Sequence, residues 1–202
     1  MIDHLANNFL KSKFEYIISY LPKNCSANML TITGFLIGIF AVLFISNEYY
    51  ILGLFLIIFN RFFDGLDGAV ARKNGSTNFG GYLDILCDFI FYSAVVIGFA
   101  IADLEKNGLT VIFLLFSFVG TGTSFLAFAA IEKKNDIFKC EKGQKGFYYM
   151  KGLIEGSETI AFYIMICIFP DYFSILGIIF GFLCWITVLG RIFSAYTLLE
   201  RK

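Results

Sequence analysis

Histidine is almost missing from this 202-residue chain, with His4 the one copy. Without histidine, zinc coordination and imidazole acid–base chemistry have no obvious donor. The five cysteines, Cys25, Cys87, Cys140, Cys167 and Cys184, include no CxxC pair. They read as small packing residues in apolar segments, not as a thiol or metal centre. Charge is scarce as well. Asp, Glu, Lys and Arg make up 16% of the residues, and 16 acids against 16 bases leave no net charge. That balance carries no bulk signal for nucleic acid. A cleaved leader is not expected, because the first strongly apolar run starts near Met29 after a long mixed segment.

Apolar surface is what the chain has in excess. Apolar residues account for 58% and mean hydropathy is +0.75, with 26 phenylalanines alone. A water-soluble protein of this make-up would expose large apolar patches, whereas a bilayer is the matching solvent. Six apolar runs, near 29–46, 50–71, 81–102, 109–131, 152–169 and 172–198, are each long enough to cross about 30 Å of hydrocarbon. Ahead of them Ile2, Leu5, Phe9, Phe14, Ile17, Ile18 and Leu21 recur at near-helical steps, with Asn7, Lys11 and Glu15 between them. This predicts an amphipathic helix on the membrane surface, ended by Pro22. The expected fold is all-α and membrane-integral, in one domain over 1–202. It comprises an interfacial helix and turn over 1–24 and six transmembrane helices over 29–198.

Charge placement sets the expected orientation. One side holds Lys11, Lys13, Lys23, Arg72, Lys73 and a basic loop with Lys133, Lys134, Lys139, Lys142, Lys145 and Lys151. The opposite loops hold a single base, Lys106, beside Glu48, Asp103, Glu105 and Asp171. The basic side is cytosolic by the positive-inside rule, and six spans return both termini to it. Anionic lipid is the expected contact of the basic loop. Pairs of small residues, Gly34/Gly38, Gly120 with Gly122 and Gly177/Gly181, predict close helix packing.

The chemistry concentrates in one stretch. Asp64 and Asp67 are three residues apart near the end of the second span, and Asp84 and Asp88 four apart at the start of the third. Each pair shares a helix face. The short connection from Arg72 to Gly80 makes the two helices antiparallel neighbours, so four acids converge near the cytosolic interface. One Asp at mid-span costs about 2.5–3.5 kcal/mol, less near the interface, and mutual repulsion adds to that. Hard divalent cations such as Mg²⁺ or Mn²⁺ would turn repulsion into attraction. The neighbouring glycines allow close approach to the backbone, and Arg72 offers a fork of donors to phosphate. Acids that merely cap helix ends are the plain alternative; four at these spacings, with glycines and an arginine, speak against it.

Asp64, Asp67, Gly68, Ala71, Arg72, Gly80, Asp84 and Asp88 together resemble the signature of the CDP-alcohol phosphotransferase family, D-x2-D-G-x2-A-R followed by G-x3-D-x3-D. The surface helix and six spans resemble that family too, so the resemblance covers essentially the whole chain. It implies that Asp64, Asp67 and Asp84 hold two divalent ions, Mg²⁺ or Mn²⁺, with Asp88 close enough to share one. Asp88 would be the general base on an acceptor hydroxyl, and Gly68, Ala71, Arg72 and Gly80 would line the nucleotide pocket. The implied reaction is phosphatidyl transfer from CDP-diacylglycerol to an alcohol with release of CMP. A homodimer in a bacterial inner membrane, with a cytoplasmic active site, is the expected setting.

Other residues stand beside this signature. Asn28 and Thr31 either touch the nucleotide or cap the first span. Glu155 and Glu158 share a face at the start of the fifth span, as an acceptor-side wall or as acids at a helix N-terminus. Arg61, one turn before Asp64, either balances charge or binds the acceptor, and Arg191 is expected to snorkel to the interface. Two other functions compete. The donor and acceptor could be reversed, with CDP-choline or CDP-ethanolamine acting on diacylglycerol. A carboxylate-based ion transporter would use the acids but have no need of the glycines or Arg72.

Overall fold

The computed structural model describes residues 17–18, 20, 25–135 and 152–200. Every regular element among them is helical. The order is α1 (Ala27–Ser46), α2 (Tyr50–Asn74), α3 (Asn78–Ala102), α4 (Leu104–Asn135), α5 (Gly156–Ile168) and α6 (Phe173–Leu199), with a 3-10 turn at Pro170–Tyr172 before the last. The six helices fall on the six apolar runs. The expected surface helix lies outside the described residues apart from Ile17, Ile18 and Tyr20. Of the basic loop expected over 132–151, residues 132–135, with Lys133 and Lys134, continue α4, and 136–151 lie outside the described residues.

Local chemistry explains where the helices start and stop. Ser26, not Asn28, caps α1, its Oγ accepting from Met29 N at 3.3 Å. Thr77 does the same for α3, accepting from Gly80 N at 3.0 Å. Gly75 follows α2 at φ 98°, a conformation that glycine adopts without a Cβ clash. Several boundaries differ from the sequence reading, with α2 ending at Asn74, α3 starting at Asn78 and α4 ending at Asn135, and two of the differences have a clear local cause. The polar stretch 103–107 is not a loop, because Asp103 Oδ1 accepts from Lys106 N at 2.9 Å and restarts the helix at Leu104. Residues 152–155 are not helical, because Glu155 and Glu158 form a capping box that starts α5 at Gly156.

α1 packs on α2 and α3, α4 on α6 and α3, and α5 on α2. Small residues make this possible. A Cβ added at Gly34 would meet Phe63 Cβ at 2.9 Å, one at Gly38 would meet Phe91 Cδ2 at 2.6 Å, and one at Gly177 would meet Thr110 Cγ2 at 2.5 Å. Aromatic stacks fill the centre, with Phe99 on Phe173 at 4.6 Å and Phe162 on Phe180 at 4.2 Å. Large apolar side chains such as Phe55, Phe59, Leu109, Ile112 and Phe193 point outward and are exposed. Four helical stretches, Ala27–Ser46, Asn78–Ala102, Leu104–Ile131 and Pro170–Thr197, are long and apolar enough to cross a membrane. α5 is shorter, with 13 residues, and α2 carries the charged motif in its second half.

Candidate active site

The acids sit on α2 and α3, which do not pack side by side as the short connection predicts. Both pack on α1, and they meet through side chains across a cleft, Arg61 of α2 reaching Asp88 of α3. Asp64, Asp84 and Asp88 bring one carboxylate oxygen each within 4.8 Å of one another. Asp67 is buried a short way off and accepts from Thr31 Oγ1 at 2.5 Å. All four line one small cleft together with Thr31, Asn60 and Arg61. Three converging carboxylates with no nitrogen or sulfur donor fit a hard divalent cation.

Arg61 lies among the acids. Its Nη2 donates to Asp88 Oδ1 at 2.7 Å, and its Nη1 is 3.5 Å from Asp64 Oδ2. Tyr92 OH donates to the other oxygen, Asp88 Oδ2, at 3.2 Å. Asp88 is therefore held through both oxygens. Arg61, expected on the acceptor side, does not line the smaller of the two cavities described below; it is taken up by the acids.

Two larger cavities open from this cleft. One, of about 850 Å³, runs between the start of α1, the end of α2 and the 75–78 turn. Asn28, Thr31, Gly68, Ala71, Arg72 and Gly80 all line it, with Asp67 and Asp84 at its inner end. The wall is shaped by missing side chains. A Cβ at Gly80 would meet Asn28 Oδ1 and Thr77 Oγ1 at 3.0 Å, while one at Gly81 would meet nothing within 4 Å. A Cβ at Gly68 would stand 3.3 Å from Arg72 Nη1.

The second cavity, of about 360 Å³, lies between α3, α4, α5 and α6. Asp84 and Asp88 form its inner wall, Phe89, Phe118 and Phe125 its apolar sides, and Tyr92, Thr121, Glu155 and Arg191 its polar ones. Asp84 lines both cavities. Glu155 reaches this space while its Oε1 accepts from Gly152 N at 2.9 Å. Glu158 does not line it; its Oε2 accepts from Glu155 N at 3.1 Å and from Ser157 Oγ at 2.9 Å, which is the capping role. Arg191 does not simply reach outward. Its Nη1 donates to Thr121 O at 2.9 Å, and its guanidinium lies 5.6 Å from the Phe125 ring centroid.

Sequence reasoning missed Asn60, Tyr92 and Thr121. Asn60 had a signal, as a lone amide inside an apolar run. Tyr92 is one turn beyond Asp88 but reads as one more core aromatic.

Known proteins carry the same plan. The family model described as CDP-alcohol phosphatidyltransferase matches residues 24–193. The chain is 42% identical over 201 residues to inner membrane protein YnjF of Escherichia coli K12, covering 99% of this chain and 98% of that one. It is 28% identical over 178 residues to an archaetidylinositol phosphate synthase of Pyrococcus horikoshii, covering 86% and 85% of the two chains. Its fold matches phosphatidylinositol phosphate synthase of Mycobacterium tuberculosis, solved with CDP-DAG bound, at TM-score 0.64 and 20% identity over 96% of this chain and 98% of that one. The chain therefore belongs to the CDP-alcohol phosphatidyltransferase family: it is a membrane transferase that passes a phosphatidyl group from a CDP-linked donor to an alcohol and releases CMP.

Proposed function

We propose that CDP-diacylglycerol binds with its cytidine and pyrophosphate in the larger cavity, and that the acceptor alcohol enters through the smaller one. One observation carries this reading: the two cavities have separate linings that meet only at Asp84. Arg72 and the backbone beside Gly68 and Gly80 offer donors to phosphate oxygens on the larger side. Asn28, Thr31 and Ala71 complete that wall. Asp64, Asp67 and Asp84 would hold two divalent ions, Mg²⁺ or Mn²⁺, with Asp88 sharing one. When bound, such ions neutralise the pyrophosphate and the departing CMP.

Asp88 faces the smaller cavity and acts as the base. It takes the proton from the acceptor hydroxyl as that oxygen attacks the β-phosphorus; the bond to the CMP oxygen breaks and CMP leaves with the electron pair. Each carboxylate oxygen has two lone pairs, so the bonds from Arg61 and Tyr92 leave room for the hydroxyl. Glu155 and Arg191 form the polar wall that would orient the acceptor.

The setting follows from charge and length. α2 and α5 join the four long apolar helices to give six spans. The termini and the acids face the cytosol, in a bacterial inner membrane; the homodimer rests on the family resemblance alone. The test is CMP release by purified protein from CDP-diacylglycerol with Mg²⁺ or Mn²⁺ and a panel of glycerol phosphate, inositol phosphate and serine. Metal-dependent release that stops with EDTA is expected, with the product lipid identified by mass spectrometry. No CMP with any acceptor, or CMP only from CDP-choline with diacylglycerol, would overturn the assignment.

A further inference from the structure

We infer that Arg61 is a built-in counter-cation of the acid cluster and the positioning residue for Asp88, competing with bound metal for the same carboxylates while keeping Asp88 turned toward the acceptor cavity. This rests on the proposed roles of Asp88 and the divalent ions.

The contacts of Arg61 are those of a fixed group. Its Nε donates to Asn60 Oδ1 at 2.8 Å, and the Asn60 amide donates to Gly34 O at 2.8 Å, tying the pair to α1. Asn60 is buried, so its bond to Gly34 O is shielded from water, and the Arg61 bond to it is partly so. The guanidinium lies 5.1 Å from the Phe91 ring centroid and 5.6 Å from that of Tyr92, within the range for cation–π attraction. Tyr92 is itself anchored, because Tyr163 OH donates to Tyr92 O at 2.8 Å. The side chain is 18% exposed. A guanidinium clamped by an amide, two rings and two carboxylates does not swing away as an exposed cation does.

Two consequences follow. The cluster of like charges keeps one permanent positive charge within 3.5 Å of Asp64 and 2.7 Å of Asp88, so it holds together without metal. A divalent ion entering among the same acids meets that charge and binds less tightly than the acids alone would allow. At the same time the fork fixes Asp88 Oδ1 and Tyr92 fixes Oδ2, which sets the carboxylate plane against the smaller cavity. Removing Arg61 thus moves metal affinity and turnover in opposite directions, whereas loss of a purely structural residue lowers both.

The experiment titrates Mn²⁺ alone into full-length protein in nanodiscs, by calorimetry, for wild type, Arg61→Gln, Arg61→Lys and Tyr92→Phe, and measures CMP release at saturating Mn²⁺. Arg61→Gln is expected to bind Mn²⁺ at least about tenfold more tightly and to turn over at least about tenfold more slowly. It also unfolds at a lower temperature than wild type in EDTA, and that gap narrows when Mn²⁺ is added. Arg61→Lys keeps the charge and restores wild-type Mn²⁺ affinity, but only part of the turnover. Tyr92→Phe slows turnover without changing Mn²⁺ affinity, and with Arg61→Lys it decides the matter if Arg61→Gln does not fold. Mn²⁺ binding by Arg61→Gln that is unchanged or weaker, or by Arg61→Lys that is tightened as much as by the neutral variant, overturns the proposal alone. Wild-type protein that binds no Mn²⁺ overturns the metal reading on which it stands.

Discussion

The donor cavity and the acceptor cavity meet at Asp84, yet they are assembled in different ways. Every residue lining the donor side lies between Ser26 and Asp84, on α1, α2, α3 and one short turn. The proposed acceptor side draws Asp88, Thr121 and Arg191 from three helices and Glu155 from the N-cap of α5, and the Arg191 bond to Thr121 O spans 70 residues of chain. The proposed donor side combines four glycines with Arg72 and small polar side chains, whereas the acceptor side is a pocket of aromatic rings with three carboxylates, Asp84, Asp88 and Glu155, and one guanidinium. A common nucleotide donor needs one fixed shape. On the proposed reading the alcohol would be selected where helices distant in sequence come together, in packing and not in a motif.

Substitutions can break or sharpen this division. The largest effect belongs to the shared residue. Asp84→Asn should cut CMP release by at least about a hundredfold and weaken donor binding as well, since it removes a ligand charge from both sides; activity and donor titrations check this. On the donor side, Gly80→Ala pushes a methyl group against Asn28 and Thr77. It should raise the donor KM roughly tenfold, a loss of about 1.4 kcal/mol, while Gly81→Ala, in open space, leaves it within twofold. Arg191→Met should raise the acceptor KM several-fold at unchanged donor KM, as expected for loss of a hydrogen bond to a charged group, about 1.5–3 kcal/mol at most. A matched rise in donor KM would erase the boundary between the cavities. The smallest effect is Glu158→Ala, which removes one arm of the capping box. It should cost about 1 kcal/mol of stability, read by thermal unfolding, with both KM values intact.

The same division governs how much could be read from sequence. All six described helices were legible because each falls on an apolar run, four of them long enough to cross a membrane. The acids and glycines were legible because helical spacing alone places Asp64 with Asp67 and Asp84 with Asp88 on common faces. The separate grouping of Asp67 with Thr31 was not, since it depends on how α1 leans against α2. The role of Glu158 was ambiguous for a physical reason: an acid at the third helical position suits a capping box and a binding wall equally well. The inward turn of Arg191 depends on Thr121 and Phe125 of α4, which no local pattern reveals. Arg61 could be placed one turn before Asp64, but its bond to Asp88 required knowing how α2 and α3 face each other.

The central claim is that donor and acceptor approach the acids from separate cavities, with Asp88 acting as the base on the acceptor. The direct measurement is titration of CDP-diacylglycerol, with Mn²⁺ present, into Asp88→Asn and wild-type protein, paired with CMP release by each. The account predicts that Asp88→Asn binds the donor within a few-fold of wild type and releases CMP at least about a hundredfold more slowly. Loss of donor binding in step with loss of turnover would contradict it.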